Sequence, residues 1–215
     1  MDERQFKKFK ISFTLFWIGQ ICFLLSLFTF EGRFKFLPSW LILLTIFGYI
    51  GFVVMFIGIA ISCGINKEFY YSLVTCLIFA GVSVLQSVCY TSTDDFYINW
   101  AKGLEWSNQA LKCLFYFYFF YGCYKYFVSL GHTEIGKKSK IAAIIFVSLF
   151  LLERLSVFLM FFNGIKANIV ANRILTFGQM IINFVTYVYL VVISTIIFIR
   201  LNKRRKEALD HEEAK

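Results

Sequence analysis

Residues 174–199 read ILTFGQMIINFVTYVYLVVISTIIFI, a run of 26 residues without a charged side chain. A membrane-spanning α-helix needs about 20 consecutive apolar residues to cross a hydrocarbon core of about 30 Å. The run is therefore long enough to cross a bilayer as one helix. A helix also satisfies its own backbone hydrogen bonds, which lipid cannot do for it.

Five more apolar stretches precede this run, and the six together account for most of the 215-residue chain. Short connections between them force neighbouring helices to run antiparallel. The sequence predicts an all-α fold, a polytopic integral membrane bundle over residues 1–199. A cytoplasmic tail, basic and then acidic, follows over residues 200–215. The six predicted transmembrane helices are residues 11–30, 40–63, 70–90, 109–130, 141–162 and 174–199.

The composition argues against a soluble protein. Hydrophobic residues make up 59% of the chain and charged residues 16%, whereas a soluble domain usually carries about 25% charged residues. A net charge of +9 would suggest a nucleic-acid partner in a soluble chain. Here the cations flank apolar stretches, where they set orientation and meet anionic headgroups. We expect the partner to be a lipid bilayer, in a plasma or inner membrane, and no nucleic acid.

The cations also predict the topology. Three clusters fall on one side of the membrane if six helices cross it, and cytoplasmic segments are rich in Lys and Arg. The connection over residues 91–108 carries three carboxylates against Lys102, so it should lie outside. Both termini should then be cytoplasmic, and Trp100 and Trp106 should hold this connection as a cap in the headgroup layer. The clusters are Arg4, Lys7, Lys8 and Lys10; Lys137, Lys138 and Lys140; and Arg200, Lys203, Arg204, Arg205 and Lys206.

Polar residues inside the spans mark the faces that turn away from lipid. In the sixth span they recur at steps of four, three, four and three, which places them on one helical face. A weaker polar face in the third span includes Gln86, and the first span adds Gln20. We expect these faces to meet in the interior, as an interhelical hydrogen-bond network or as a binding site. The stripe in the sixth span consists of Asn172, Thr176, Gln179, Asn183 and Thr186.

Ionisable residues within the spans are rarer. Glu153 and Arg154 lie near the middle of the fifth span, and Lys112 and Lys125 lie in the fourth. A charge at that depth costs about 3 kcal/mol on insertion scales, so it should be paired or line a wet cavity. Adjacent helical residues project about 100° apart, so we expect that Glu153 and Arg154 are not simply each other's partner and that at least one of them reaches a neighbouring helix. Lys125, near a helix end, should extend to the interface.

With cytoplasmic termini, most of these polar groups lie at or outside the middle of the membrane. This favours a small polar cavity, open to the outside, that binds a small solute for uptake by a transporter or permease subunit. The layout is similar to that of the substrate-binding subunits of energy-coupling-factor transporters, which implies a partner subunit. The predicted ligand-binding residues are Glu153, Arg154, Lys112, Gln86, Gln179, Asn183 and Gln20.

Sequence motifs for catalysis are absent. The chain has no G-x-S-x-G, H-E-x-x-H or phosphate-binding loop, and its cysteines lack zinc-site spacings. We expect no enzyme activity, no cofactor and no metal. Two alternatives stay open for the function: a sensor or receptor that signals through the C-terminal helix, and a structural or assembly subunit that docks through glycines of the second span.

Overall fold

The computed structural model describes residues 3–30, 43–91, 94–159 and 169–213, and it is helical throughout these ranges apart from short connections. No strand occurs among these residues. The observed fold is therefore all-α, as predicted. The six helices are α1 (Glu3–Phe30), α2 (Leu43–Ser62), α3 (Lys67–Tyr90), α4 (Asp95–Ser129), α5 (Thr133–Leu159) and α6 (Ile169–Glu213).

Three helical segments are long and apolar enough to cross a membrane: Arg4–Leu25, Lys67–Tyr90 and Arg173–Lys203. A shorter apolar helix runs over Ile46–Ser62. Within the predicted fourth span, five tyrosines and two lysines lower the hydropathy of α4. The helical fold and three membrane-compatible helices agree with the prediction, and the count of six crossings stays a prediction.

Many large apolar side chains are exposed, and several polar side chains are buried. Large apolar side chains on α2, α3, α5 and α6 are half or more exposed, whereas soluble proteins rarely expose contiguous apolar faces of this extent. Several polar side chains on α1, α3, α5 and α6 are buried. This inverted distribution suits lipid as the surrounding medium. Examples of the exposed set are Val53, Val84, Leu151 and Ile174, and of the buried set Gln20, Ser72, Glu153 and Ser194.

The connection between α3 and α4 is shorter than predicted. The sequence predicts an interfacial cap over residues 91–108, but α4 begins at Asp95 and runs unbroken to Ser129. The Asp94 carboxylate accepts a hydrogen bond from the backbone N–H of Phe96 at 2.9 Å, which caps the helix. Because no proline interrupts the following residues, the helix continues directly into the predicted fourth span.

The turn between α4 and α5 is fixed by a glycine. Gly131 has a φ of 74°, a conformation that side chains disfavour. The backbone N–H of His132 donates to the Phe127 carbonyl at 2.8 Å, and that of Gly131 donates to the Val128 carbonyl at 3.0 Å. These two bonds form the Schellman motif that ends many helices. They allow α5 to begin at Thr133.

The chain divides into two compact units. The first comprises residues 1–58 and 145–215, and the second comprises residues 59–144. In the first unit α1 packs against α6: the Trp17 indole donates to the Thr195 hydroxyl at 2.8 Å and stacks on Phe198 at 4.5 Å. In the second unit, α3 and α4 form an antiparallel pair.

Glycines let α2 approach α1 closely in the first unit. A Cβ at Gly51 would lie 2.8 Å from both the Cys22 Cβ and the Gly19 carbonyl oxygen. A Cβ at Gly58 would lie 2.7 Å from the Ser12 carbonyl oxygen. Such backbone approach is typical of small-residue interfaces between membrane helices. The glycine face that the sequence offered as a docking surface for a partner is therefore covered by α1 at these two positions.

Candidate functional site

Glu153 and Arg154 form a buried ion pair on α5. The Arg154 Nη2 donates to the Glu153 Oε1 at 2.7 Å, and the two side chains are 10% and 9% exposed. Adjacent residues therefore do pair here, contrary to the angular argument, while Glu153 also lies within electrostatic range of Tyr187 on the last helix. The length and flexibility of the arginine side chain bridge the angle between their Cα–Cβ directions. The guanidinium also lies 5.9 Å from the centre of the Phe150 ring.

Tyr187 on α6 extends this site, and the sequence analysis missed it. Its side chain is buried and interacts electrostatically with the Glu153 carboxylate. Its ring also stacks on Phe23 of α1, with the centroids 6.4 Å apart. Tyr187 thus links the acidic member of the pair on α5 to α6, and its ring contacts α1. Tyr187 follows Asn183 by one helical turn, so an extended polar stripe would have included it.

The structure describes three of the five side chains in the polar stripe of α6. Thr186 is buried, and its hydroxyl donates to the Ile182 carbonyl at 2.7 Å. Thr176 and Gln179 are half-buried. The side chains of Asn172 and Asn183 lie outside the described residues, so their orientation stays a prediction.

Gln20 is fully buried between α1 and α2. Its amide Nε2 donates to the Met55 Sδ at 2.6 Å. A thioether is a weak acceptor, so this contact satisfies the amide less well than an oxygen would. The contact belongs to the packing between α1 and α2 beside the glycines.

Gln86 and Lys112 lie in the second unit, on α3 and α4. The amide of Asn108 donates to the Gln86 Oε1 at 3.0 Å and to the Ser83 hydroxyl at 2.9 Å. Lys112, which is half-buried, follows Asn108 by one turn and so shares its face of α4. Asn108 is the centre of this cluster. The sequence analysis assigned it to a connection and so did not include it in the site.

A second ion pair joins α3 to α4 at the other end of these helices. Lys125 donates to the Glu68 carboxylate, which is buried, while the lysine side chain is 42% exposed. The sequence predicts that Lys125 extends to the interface. The N-terminal turn of α3 instead provides a carboxylate for it, next to Asn66, whose amide donates to the Gly122 carbonyl at 3.0 Å.

The described residues hold no group of three or more His, Cys, Asp or Glu side chains close enough to bind a metal ion. The six cysteines are free thiols within the described ranges. No protein-family model, curated protein or solved structure matches the chain.

Proposed function

We propose that this chain is a multi-pass protein of a plasma or inner membrane that binds a small charged solute for uptake. The solute enters from the outside and binds at Glu153 and Arg154, with Tyr187 beside the carboxylate. The two side chains present opposite charges, so they can exchange their mutual hydrogen bond for bonds to a ligand. Six crossings and cytoplasmic termini complete the proposal.

The observation that carries the proposal is the burial of an ionised pair on a helix whose other faces are apolar. Leu151, Leu152 and Leu155 flank the pair and are at least 50% exposed. Burying two charges in such a helix costs more than a hydrophobic pair of similar volume would. Intramembrane ionisable residues accordingly tend to mark solute or ion pathways.

The proposal is tested by ligand-dependent thermal stabilisation of the full chain in detergent. Glycine, succinate and putrescine serve as zwitterionic, anionic and cationic probes. We expect one probe class to raise the Tm of the wild type. The double variant Glu153→Gln, Arg154→Met should fold and bind that probe about ten-fold or more weakly, since hydrogen bonds to charged groups contribute about 1.5–3 kcal/mol. The control, Glu105→Gln with Lys102→Met, removes the same charges from the start of α4.

A folded double variant that responds to the probe as the wild type does would contradict the proposal. A wild type that responds to none of the three probe classes would do the same. Either result would leave the ion pair with a structural role.

A second candidate function is sensing, and the length of α6 favours it. This helix runs over 45 residues, from Ile169 to Glu213, and so joins the candidate span to the basic tail without a break. A continuous helix can transmit a rotation or a shift along its axis. Sensing predicts that a bound probe changes hydrogen exchange in residues 204–213. Unchanged exchange in that segment at saturating probe would contradict it.

A further inference from the structure

A cluster of lysine and tyrosine side chains lies in the second unit, where α4 turns into α5. The Lys125 Nζ lies 5.2 Å from the centre of the Tyr121 ring, and the Lys140 Nζ lies 5.5 Å from that of Tyr124. The two tyrosine rings contact each other, with centroids 5.6 Å apart. We call these four residues the Lys-Tyr cluster.

The Lys-Tyr cluster offers hydrogen-bond donors that the described residues leave available. An ammonium group has three donors, and Glu68 accepts one from Lys125. Lys140 has no carboxylate partner among the described side chains. Within the same part of the chain, Tyr121 and Tyr124 make ring contacts and no hydrogen bond through their hydroxyls. A ligand rich in acceptor oxygens would satisfy both ammonium and phenol groups.

Packing holds the Lys-Tyr cluster in place. A Cβ at Gly136 would lie 3.0 Å from the Val128 side chain and 3.3 Å from the Tyr124 carbonyl oxygen, so α5 passes close to α4 here. The Tyr121 ring also stacks on Phe117 at 5.7 Å. Both tyrosines are half-buried, whereas both lysines are exposed. The rings are therefore fixed by neighbours while the charged groups stay accessible.

The charge around the Lys-Tyr cluster is positive. Residues 59–70 and 120–140 contain five lysines and two glutamates. Of the carboxylates, Glu68 is engaged by Lys125. Lys67, next to Glu68, and Lys137, three residues before Lys140, are exposed and add to the positive potential. An anion is thus the ligand that this end of α4 and α5 would attract.

We propose that the Lys-Tyr cluster binds the phosphate of an anionic phospholipid. Phosphate oxygens accept hydrogen bonds from ammonium and hydroxyl donors. The Lys-Tyr cluster lies where the apolar helix α3 begins, and tyrosine and lysine are the residues that membrane helices place at headgroup level. Basic sites between membrane helices bind lipid headgroups in this way. This inference is independent of the solute site.

The test measures phosphatidylglycerol bound to the full chain in nanodiscs and in native mass spectra, with phosphatidylcholine as the neutral lipid. Lys140→Gln should weaken phosphatidylglycerol binding about five-fold, since one lysine near the surface contributes about 1 kcal/mol. Adding Tyr124→Phe should weaken it further. Lys102→Gln is the matched control, because it removes an exposed lysine from the other end of α4. Lys140→Arg keeps the charge and should retain binding.

Equal losses in Lys140→Gln and Lys102→Gln would overturn the proposal, because they would indicate diffuse charge attraction rather than a site. Competition with inorganic phosphate distinguishes a lipid headgroup from free phosphate as the bound anion. It should leave phosphatidylglycerol binding unchanged at millimolar concentration. Full displacement of the lipid by inorganic phosphate would assign the cluster to free phosphate and would also overturn the proposal.

Discussion

Replacing one member of a buried ion pair changes the stability of the protein in two ways: through the side chain that is lost and through the partner that remains. On α5, Arg154 and Glu153 are both buried, and each compensates the charge of the other. Removing one leaves the other without that compensation, whereas removing both leaves an apolar helix. Single variants of the pair therefore report on stability, and the double variant reports on ligand binding.

We predict that Glu153→Gln and Arg154→Met each lower the free energy of unfolding by about 3 kcal/mol, because each leaves a buried charge uncompensated. The double variant should recover most of this loss. Unfolding by sodium dodecyl sulfate in mixed micelles measures all three. Additive losses in the double variant would show that the two side chains do not act as a pair.

The close approach of α1 and α2 gives a second residue-scale prediction. Gly51→Ala should lower the free energy of unfolding by about 1–3 kcal/mol, because its Cβ would meet the Cys22 side chain and the Gly19 carbonyl. Gly81→Ala on α3 is the control, since a Cβ there meets nothing within 4 Å. Equal stability of the two variants would argue against this packing of α1 on α2.

At the scale of helices, polar side chains join α3 to α4 at intervals along their length. Asn108 bonds to Ser83 and Gln86, and the Ser72 hydroxyl donates to the Phe115 carbonyl at 3.0 Å. Lys125 and Glu68 join the same helices at the far end. Hydrogen bonds at several levels fix the register of the two helices. Apolar contacts alone would not do so, because the surrounding lipid is equally apolar.

We predict that Asn108→Ala lowers the free energy of unfolding by about 1 kcal/mol, because it removes the hydrogen bonding to two residues of α3, Ser83 and Gln86, and interhelical hydrogen bonds are each worth about 0.6 kcal/mol in membranes. Asn99→Ala is the matched control, since Asn99 is an exposed residue of the same helix. Sodium dodecyl sulfate titration again provides the measurement. A loss of similar size in Asn99→Ala would indicate an effect on α4 itself rather than on the contact with α3.

For the whole molecule, the number of membrane crossings decides on which sides the ends lie. Six crossings place both termini on one side, whereas crossing by the three qualifying helices alone would place them on opposite sides. The distribution of lysine and arginine favours the first arrangement.

We predict that topology reporters at the two termini give the same cytoplasmic signal. A reporter inserted in the turn between α3 and α4, at residues 91–94, should give the opposite signal. A reporter fused after Ala142, at the start of the fifth predicted span, should give the same cytoplasmic signal as the termini. Opposite signals from the N- and C-termini would contradict six crossings and would remove the basis for a site that opens outward.

The sequence by itself determined the helical fold and the approximate position of all six helices. Apolar length and the absence of internal proline suffice for this, because a helix is the local structure that lipid permits. The residues at which the helices begin and end were less predictable. The start of α4 at Asp95 lies 14 residues before the predicted span, because a capped helix continues beyond the apolar segment.

Tertiary structure alone decided which polar side chains meet. The cost of placing polar and charged side chains in lipid indicated that Glu153, Gln86 and Gln20 avoid it, but this cost does not select the partner of each. Partners depend on the rotamer of each long side chain and on the rotation of each helix about its axis. These are set by packing between residues distant in the sequence, such as Asn108 against Gln86 and Tyr187 beside Glu153. The faces of the helices were thus encoded locally, and the contacts of the candidate site were fixed by the fold.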